Sequence, residues 1–64
     1  MEKFSMIRGH SVTIDIEEEV YGVTVDEFYY GPFSKEVFLQ KAKEIEQIYT
    51  FPIGYLENQL KLSF

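Results

Sequence analysis

The chain has 64 residues, a formal net charge of −5, 17% aromatic residues and no cysteine. That length allows one domain, residues 1–64, which buries only about 60% of the surface its unfolded form exposes and has no disulfide to reinforce it. The only histidine, His10, leaves no set of soft metal ligands, and the acidic balance argues against nucleic acid or an anionic membrane as a ligand.

The opening Met1-Glu2-Lys3-Phe4 has no basic segment leading into an apolar run. Apolar residues nowhere continue for the roughly 18 needed to cross a bilayer, so a soluble, cytoplasmic protein is expected. Phe4 to Met6 has the composition of a short extended segment. From Ser11 the pattern alternates, with Val12, Ile14 and Ile16 on one face and Thr13, Asp15 and Glu17 on the other, which predicts a strand over about 9–17. Tyr21-Gly22 reads as part of the connection that follows, giving a hairpin whose loop exceeds two residues. In the next strand Val23 and Val25 oppose Phe28 and Tyr30, so either a bulge near Asp26-Glu27 restores the register or both faces are covered.

Gly31-Pro32 ends that strand, and Ser34 is a good N-cap flanked by Phe33 and Phe38 at the two positions of a hydrophobic staple. Phe38, Ala42, Ile45 and Tyr49 form one apolar stripe, which predicts a helix over 35–48. Phe51-Pro52-Ile53-Gly54 breaks it. Leu56, Asn58, Leu60, Leu62 and Phe64 then alternate with Glu57, Gln59, Lys61 and Ser63, the pattern of a final strand. The expected architecture is α+β, β-β-α-β, an antiparallel sheet of three or four strands with one helix across one face. The other face lacks a cover, and a second copy could supply one or pair along an edge strand, which points to a homodimer.

Charge is distributed unevenly. Residues 1–31 hold two cations and seven carboxylates, 2 − 7 = −5, whereas residues 32–64 hold four of each, 4 − 4 = 0. Asp15 and Glu17 point to the same side of their strand about 7 Å apart, Glu18 and Glu19 follow, and Asp26 or Glu27 could add a second row. That spacing is of the same order as the distance between phosphates along a DNA strand, so such rows can imitate a phosphate backbone for a basic DNA-binding cleft. The competing reading is a solvated face that keeps an aromatic-rich chain soluble and guards an edge.

Catalysis is not expected, because exposed carboxylates beside a turn lack the burial that raises a catalytic pKa. His10 and Ser11 face opposite ways as strand neighbours, and Gly9, Gly22, Gly31 and Gly54 are isolated, so neither a nucleophile pair nor a phosphate loop is present and no cofactor is implied. Phe28, Tyr30, Phe33 and Phe38 belong to the densest aromatic group. They read either as a pocket for an apolar side chain of a protein partner or, for Phe33 and Phe38 above all, as core and staple residues.

Val12-Thr13-Ile14, the acidic turn, Glu27-Phe28-Tyr29-Tyr30-Gly31, and Ser34 with Phe38 together resemble the small uracil-DNA glycosylase inhibitors of Bacillus phages. The resemblance covers under half of the chain. It implies a phage-encoded dimer in the host cytoplasm that occupies the enzyme's DNA-binding cleft and holds an apolar enzyme side chain in a hydrophobic pocket. On that resemblance Glu27 and Glu36 become acidic contacts, and Phe28, Tyr30 and Phe38 become pocket residues. The expectation is therefore a DNA mimic that inhibits a DNA-binding enzyme. The alternatives are an inhibitor of a restriction or CRISPR nuclease and an antitoxin-like or regulatory interaction module.

Overall fold

The computed structural model describes residues 1–63. Its elements are β1 (Glu2–Ile7), β2 (His10–Glu17), β3 (Val20–Val25), β4 (Phe28–Phe33), α1 (Lys35–Tyr49) and α2 (Tyr55–Ser63). The strands make one antiparallel sheet in chain order, β1-β2-β3-β4, with both helices against it, an α+β arrangement. No helix among the described residues is long and apolar enough to cross a membrane.

Three two-residue turns build the sheet. Arg8-Gly9, Glu18-Glu19 and Asp26-Glu27 each join strands whose flanking residues are already paired: Ile7 with His10, Glu17 with Val20, and Val25 with Phe28. The first residue of each turn has positive φ, 50° at Arg8, 49° at Glu18 and 57° at Asp26, as tight hairpins require. The β2–β3 loop is thus shorter than its composition indicates, and Tyr21 and Gly22 lie inside β3. Asp26-Glu27 is a turn and not a bulge, so the strand expected over 23–30 is two strands. Neither Glu18-Glu19 nor Asp26-Glu27 carries the Asn-Gly signal of such turns, which is why composition hides them.

Alternation decides which face is covered. Val12, Ile14, Val23 and Val25 point to the helices and are buried, together with Phe38, Ala42 and Ile45 of α1, Phe51, and Leu56 of α2. Apart from Ala42, each of these buried side chains contributes about 1.5–3 kcal/mol, so the nine residues dominate a small core. The opposite face, with Thr13, Asp15 and Glu17 of β2, has neither helix against it.

Ser34 caps α1 as expected, its Oγ accepting from the Val37 N–H at 3.3 Å. The helix ends at a left-handed Thr50, with the Phe51 N–H donating to the Glu46 carbonyl at 2.8 Å. Next comes the largest correction: the predicted final strand is helix α2, although its last residue, Phe64, lies outside the described residues. Leu56 and Leu60 stand four apart, a spacing shared by a strand face and a helix face, and here they meet the core as a helix does. What selects the helix is remote in sequence. The buried Glu46 of α1 accepts the Gly54 N–H on Oε1 and the Leu56 N–H on Oε2, each at 3.0 Å, and so caps α2 from outside.

His10 and Asp26 tie two turns together at one end of the sheet. The His10 Nδ1 lies 2.7 Å from Asp26 Oδ2, and the imidazole packs edge-on against Tyr49 and Phe51. The His10 hydrogen bond, then the Ser11 N–H, hold the Asp26 carboxyl below its ordinary value of 3.8. A carboxyl depressed by folding stabilises the protein above its unfolded pKa, and that stabilisation is lost as pH falls through the folded value. Asp26→Asn is accordingly expected to flatten the acid limb of the stability curve below pH 3.8. Urea midpoints taken down the acid range measure it, and an unchanged limb would refute the assignment.

Candidate functional site

The open sheet face turns acidic toward the β2–β3 turn. Glu2 is the direct partner of Asp15 across the β1–β2 ladder, Asp15 is followed two residues on by Glu17, and the turn continues with Glu18 and Glu19. Asp15, Glu17 and Glu18 line one recess with Val20, Gly22 and Tyr29. Glu19 lines a second with Tyr21, Ser34, Lys35 and Glu36, so the start of α1 joins the same end. Among the described residues none of these carboxylates is ion-paired; the salt bridges are His10–Asp26 and Lys41–Glu44.

This arrangement opposes folding in two ways. Directly opposed like charges destabilise an antiparallel pair, and Glu2 faces Asp15. Glu18 and Glu19 both have positive φ, 49° and 66°, in a turn that Asn-Gly would form with little strain. A side chain in the left-handed region costs about 1 kcal/mol per residue. Arg8 and Asp26 begin the other two turns with positive φ as well, but only in the β2–β3 turn do two non-glycine residues in a row adopt it.

Asp26 and Glu27 do not join the group. They lie in the β3–β4 turn, separated from Glu19 by the whole of β3, roughly 20 Å at 3.3 Å per residue. The second acidic row beside Asp15 and Glu17 is therefore absent. Its place on β3 is taken by Gly22, the partner of Asp15. At Gly22 a Cβ would come within 2.5 Å of the Tyr29 hydroxyl and 2.8 Å of its ring, so a larger residue would displace that ring, which lies across the open face.

The four rings expected to share a pocket are dispersed. Phe38 is fully buried, touching Tyr21 at a ring distance of 5.4 Å, and is a core residue that no partner can reach. Phe33 and Tyr30 are half-buried against that core, and the Tyr30 hydroxyl bonds that of Tyr49 at 2.7 Å. That bond, then burial, pushes the Tyr49 phenol up to about 12. Phe28 stands 66% exposed at the start of β4. An apolar cleft lies elsewhere, with Met1, Ile16, Tyr21, Leu39 and Leu60 rimmed by Lys35, Glu57 and Lys61.

Three residues of the site escape a reading of the sequence: Glu2 and the exposed pair Phe4 and Met6 on β1. Only the pairing of β1 with β2 brings Glu2 to Asp15, and a two-residue Arg8-Gly9 turn is the sequence signal that could have shown it. Among the described residues no group of three or more metal-ligating side chains stands together. Comparison of the chain with protein-family models, curated proteins and solved structures finds no match.

Proposed function

We propose that this protein is a binding protein, not an enzyme, which presents the acidic end of its open sheet face to the basic DNA-binding groove of an enzyme and inhibits it by imitating DNA. The observation that carries the reading is the Glu18-Glu19 turn. Two unpaired carboxylates occupy strained positions beside Glu17, Asp15 and Glu2, where stability alone favours other residues. Charge on such a rim steers encounter with a positive groove, and Tyr29 beside it offers a ring with a polar tip for the contact itself. The resemblance in the β-strands and acidic turn makes a uracil-DNA glycosylase the first target to test. Restriction or CRISPR nucleases present grooves of the same chemistry.

A second reading is favoured by Phe4, Met6 and Tyr29, which are 62%, 62% and 56% exposed on that same face. In it the chain is an interaction module held by apolar contacts, with charge secondary. One experiment separates the two. The immobilised protein is exposed to a bacterial lysate, and bound proteins are eluted first with duplex DNA and then with detergent. DNA-binding enzymes released by duplex DNA are the expected result. Partners that ignore the DNA and leave only in detergent would replace the first reading with the second.

A further inference from the structure

We propose that two copies of this chain join edge to edge through β1, making one continuous antiparallel sheet from the four strands of each. The inference stands apart from the proposed target and starts from the hydrogen-bond pattern. The Ile16 N–H donates to the Met1 carbonyl and the Met1 ammonium to the Ile16 carbonyl, both at 2.8 Å, so these two form a hydrogen-bonded pair. Pairs alternate along an antiparallel ladder, which directs Lys3, Ser5 and Ile7 toward β2. The N–H and C=O groups of Glu2, Phe4 and Met6 therefore point outward along the sheet edge.

The two edges of the sheet differ. On β4, Pro32 offers no N–H and the ladder is irregular between Tyr21 and Val23, features that blunt an edge. β1 has neither proline nor register shift over its six residues. It also carries Phe4 and Met6, each 62% exposed, on the open face. An unblocked strand flanked by exposed apolar side chains is a template for another strand.

Geometry then selects the register. The two copies must keep their open faces on one side, which permits pairings centred on Phe4 or on Ser5 and forbids those between them. Centring on Phe4 engages all three outward residues, placing Phe4 opposite Phe4 of the second copy and Glu2 opposite Met6 of the second copy. About six inter-strand hydrogen bonds result, against about four when Ser5 is central. Charge permits this choice. Lys3 of each copy faces Ser5 of the other, Glu2 faces Met6, and Arg8 lies past the partner's Met1, so no like charges face. The two-fold axis passes through the sheet, leaving both open faces on the same side.

Cysteine cross-linking tests pairing and register together, in a chain with no other thiol. In the proposed register the two Phe4 Cα atoms are about 5.5 Å apart and the two Met6 Cα atoms about 14 Å. With a short bismaleimide, Phe4→Cys is expected to form covalent dimer at least ten times faster than Met6→Cys, and native protein is expected to sediment above one-chain mass. Phe4→Lys, which opposes two ammonium groups, is expected to sediment as a monomer with an unchanged far-ultraviolet spectrum. Equal cross-linking rates, a native monomer near 1 mM, or a Phe4→Lys protein that stays dimeric would each overturn the proposal.

Discussion

Replacing Glu46 by alanine is expected to lower the unfolding free energy by about 3 kcal/mol and to release α2 before the sheet melts. Glu46 is 4% exposed, and both of its carboxylate oxygens accept backbone N–H groups at the start of α2. Truncation leaves two donors without partners, and each buried donor so stranded costs about 1–3 kcal/mol. It also removes a negative charge from the positive end of a helix dipole. A chain this short has a total stability of only about 3–10 kcal/mol, so the loss is a large share of the whole. Glu46→Gln keeps one acceptor and is expected to fall between the two. Urea unfolding gives the magnitude, and amide exchange at Leu56 gives the location. Undiminished protection at Leu56 in the alanine variant would show that α2 is held by something else.

The second large effect has two signs. The triple substitution Glu17→Gln, Glu18→Asn and Glu19→Gly takes the net charge from −5 to −2 and gives the β2–β3 turn the residues its backbone prefers. Relief of the left-handed strain and of charge repulsion is expected to raise stability by about 1–2 kcal/mol. Association with a basic groove is expected to slow by roughly ten- to hundred-fold, since three steering charges are gone. Glu44→Gln, on α1 and paired with Lys41, is the control and is expected to leave association unchanged. A firmer fold with weaker binding separates a functional turn from a solubilising one, because the latter would gain stability and lose nothing.

Much of this was legible in the residues themselves, where local signals and tertiary contacts agree. The strict alternation of Val12, Ile14 and Ile16 marks β2, and Ser34 with the stripe Phe38, Ala42, Ile45 and Tyr49 marks α1 almost to its ends. The turns failed because Glu18-Glu19 and Asp26-Glu27 use charged residues where Asn or Gly would announce a hairpin, and two strands therefore read as one. α2 failed because Leu56 and Leu60 suit either period, and the deciding cap, Glu46, is supplied by another helix. The same ambiguity reaches the site. As part of a strand, Asp26 and Glu27 would lie beside Asp15, whereas the hairpin sends them to the far end, where Asp26 holds His10. Glu17, Glu18 and Glu19 needed no such placement, since any hairpin in this region exposes them.

The central claim is that the carboxylates around the β2–β3 turn engage a positively charged groove. Stopped-flow association with the captured enzyme, run from 0.01 M to 1 M salt, shortens the Debye length from about 30 Å to about 3 Å. The claim predicts an association rate that falls by about a hundred-fold across that range while dissociation changes little. An association rate that stays level across the same range would contradict it.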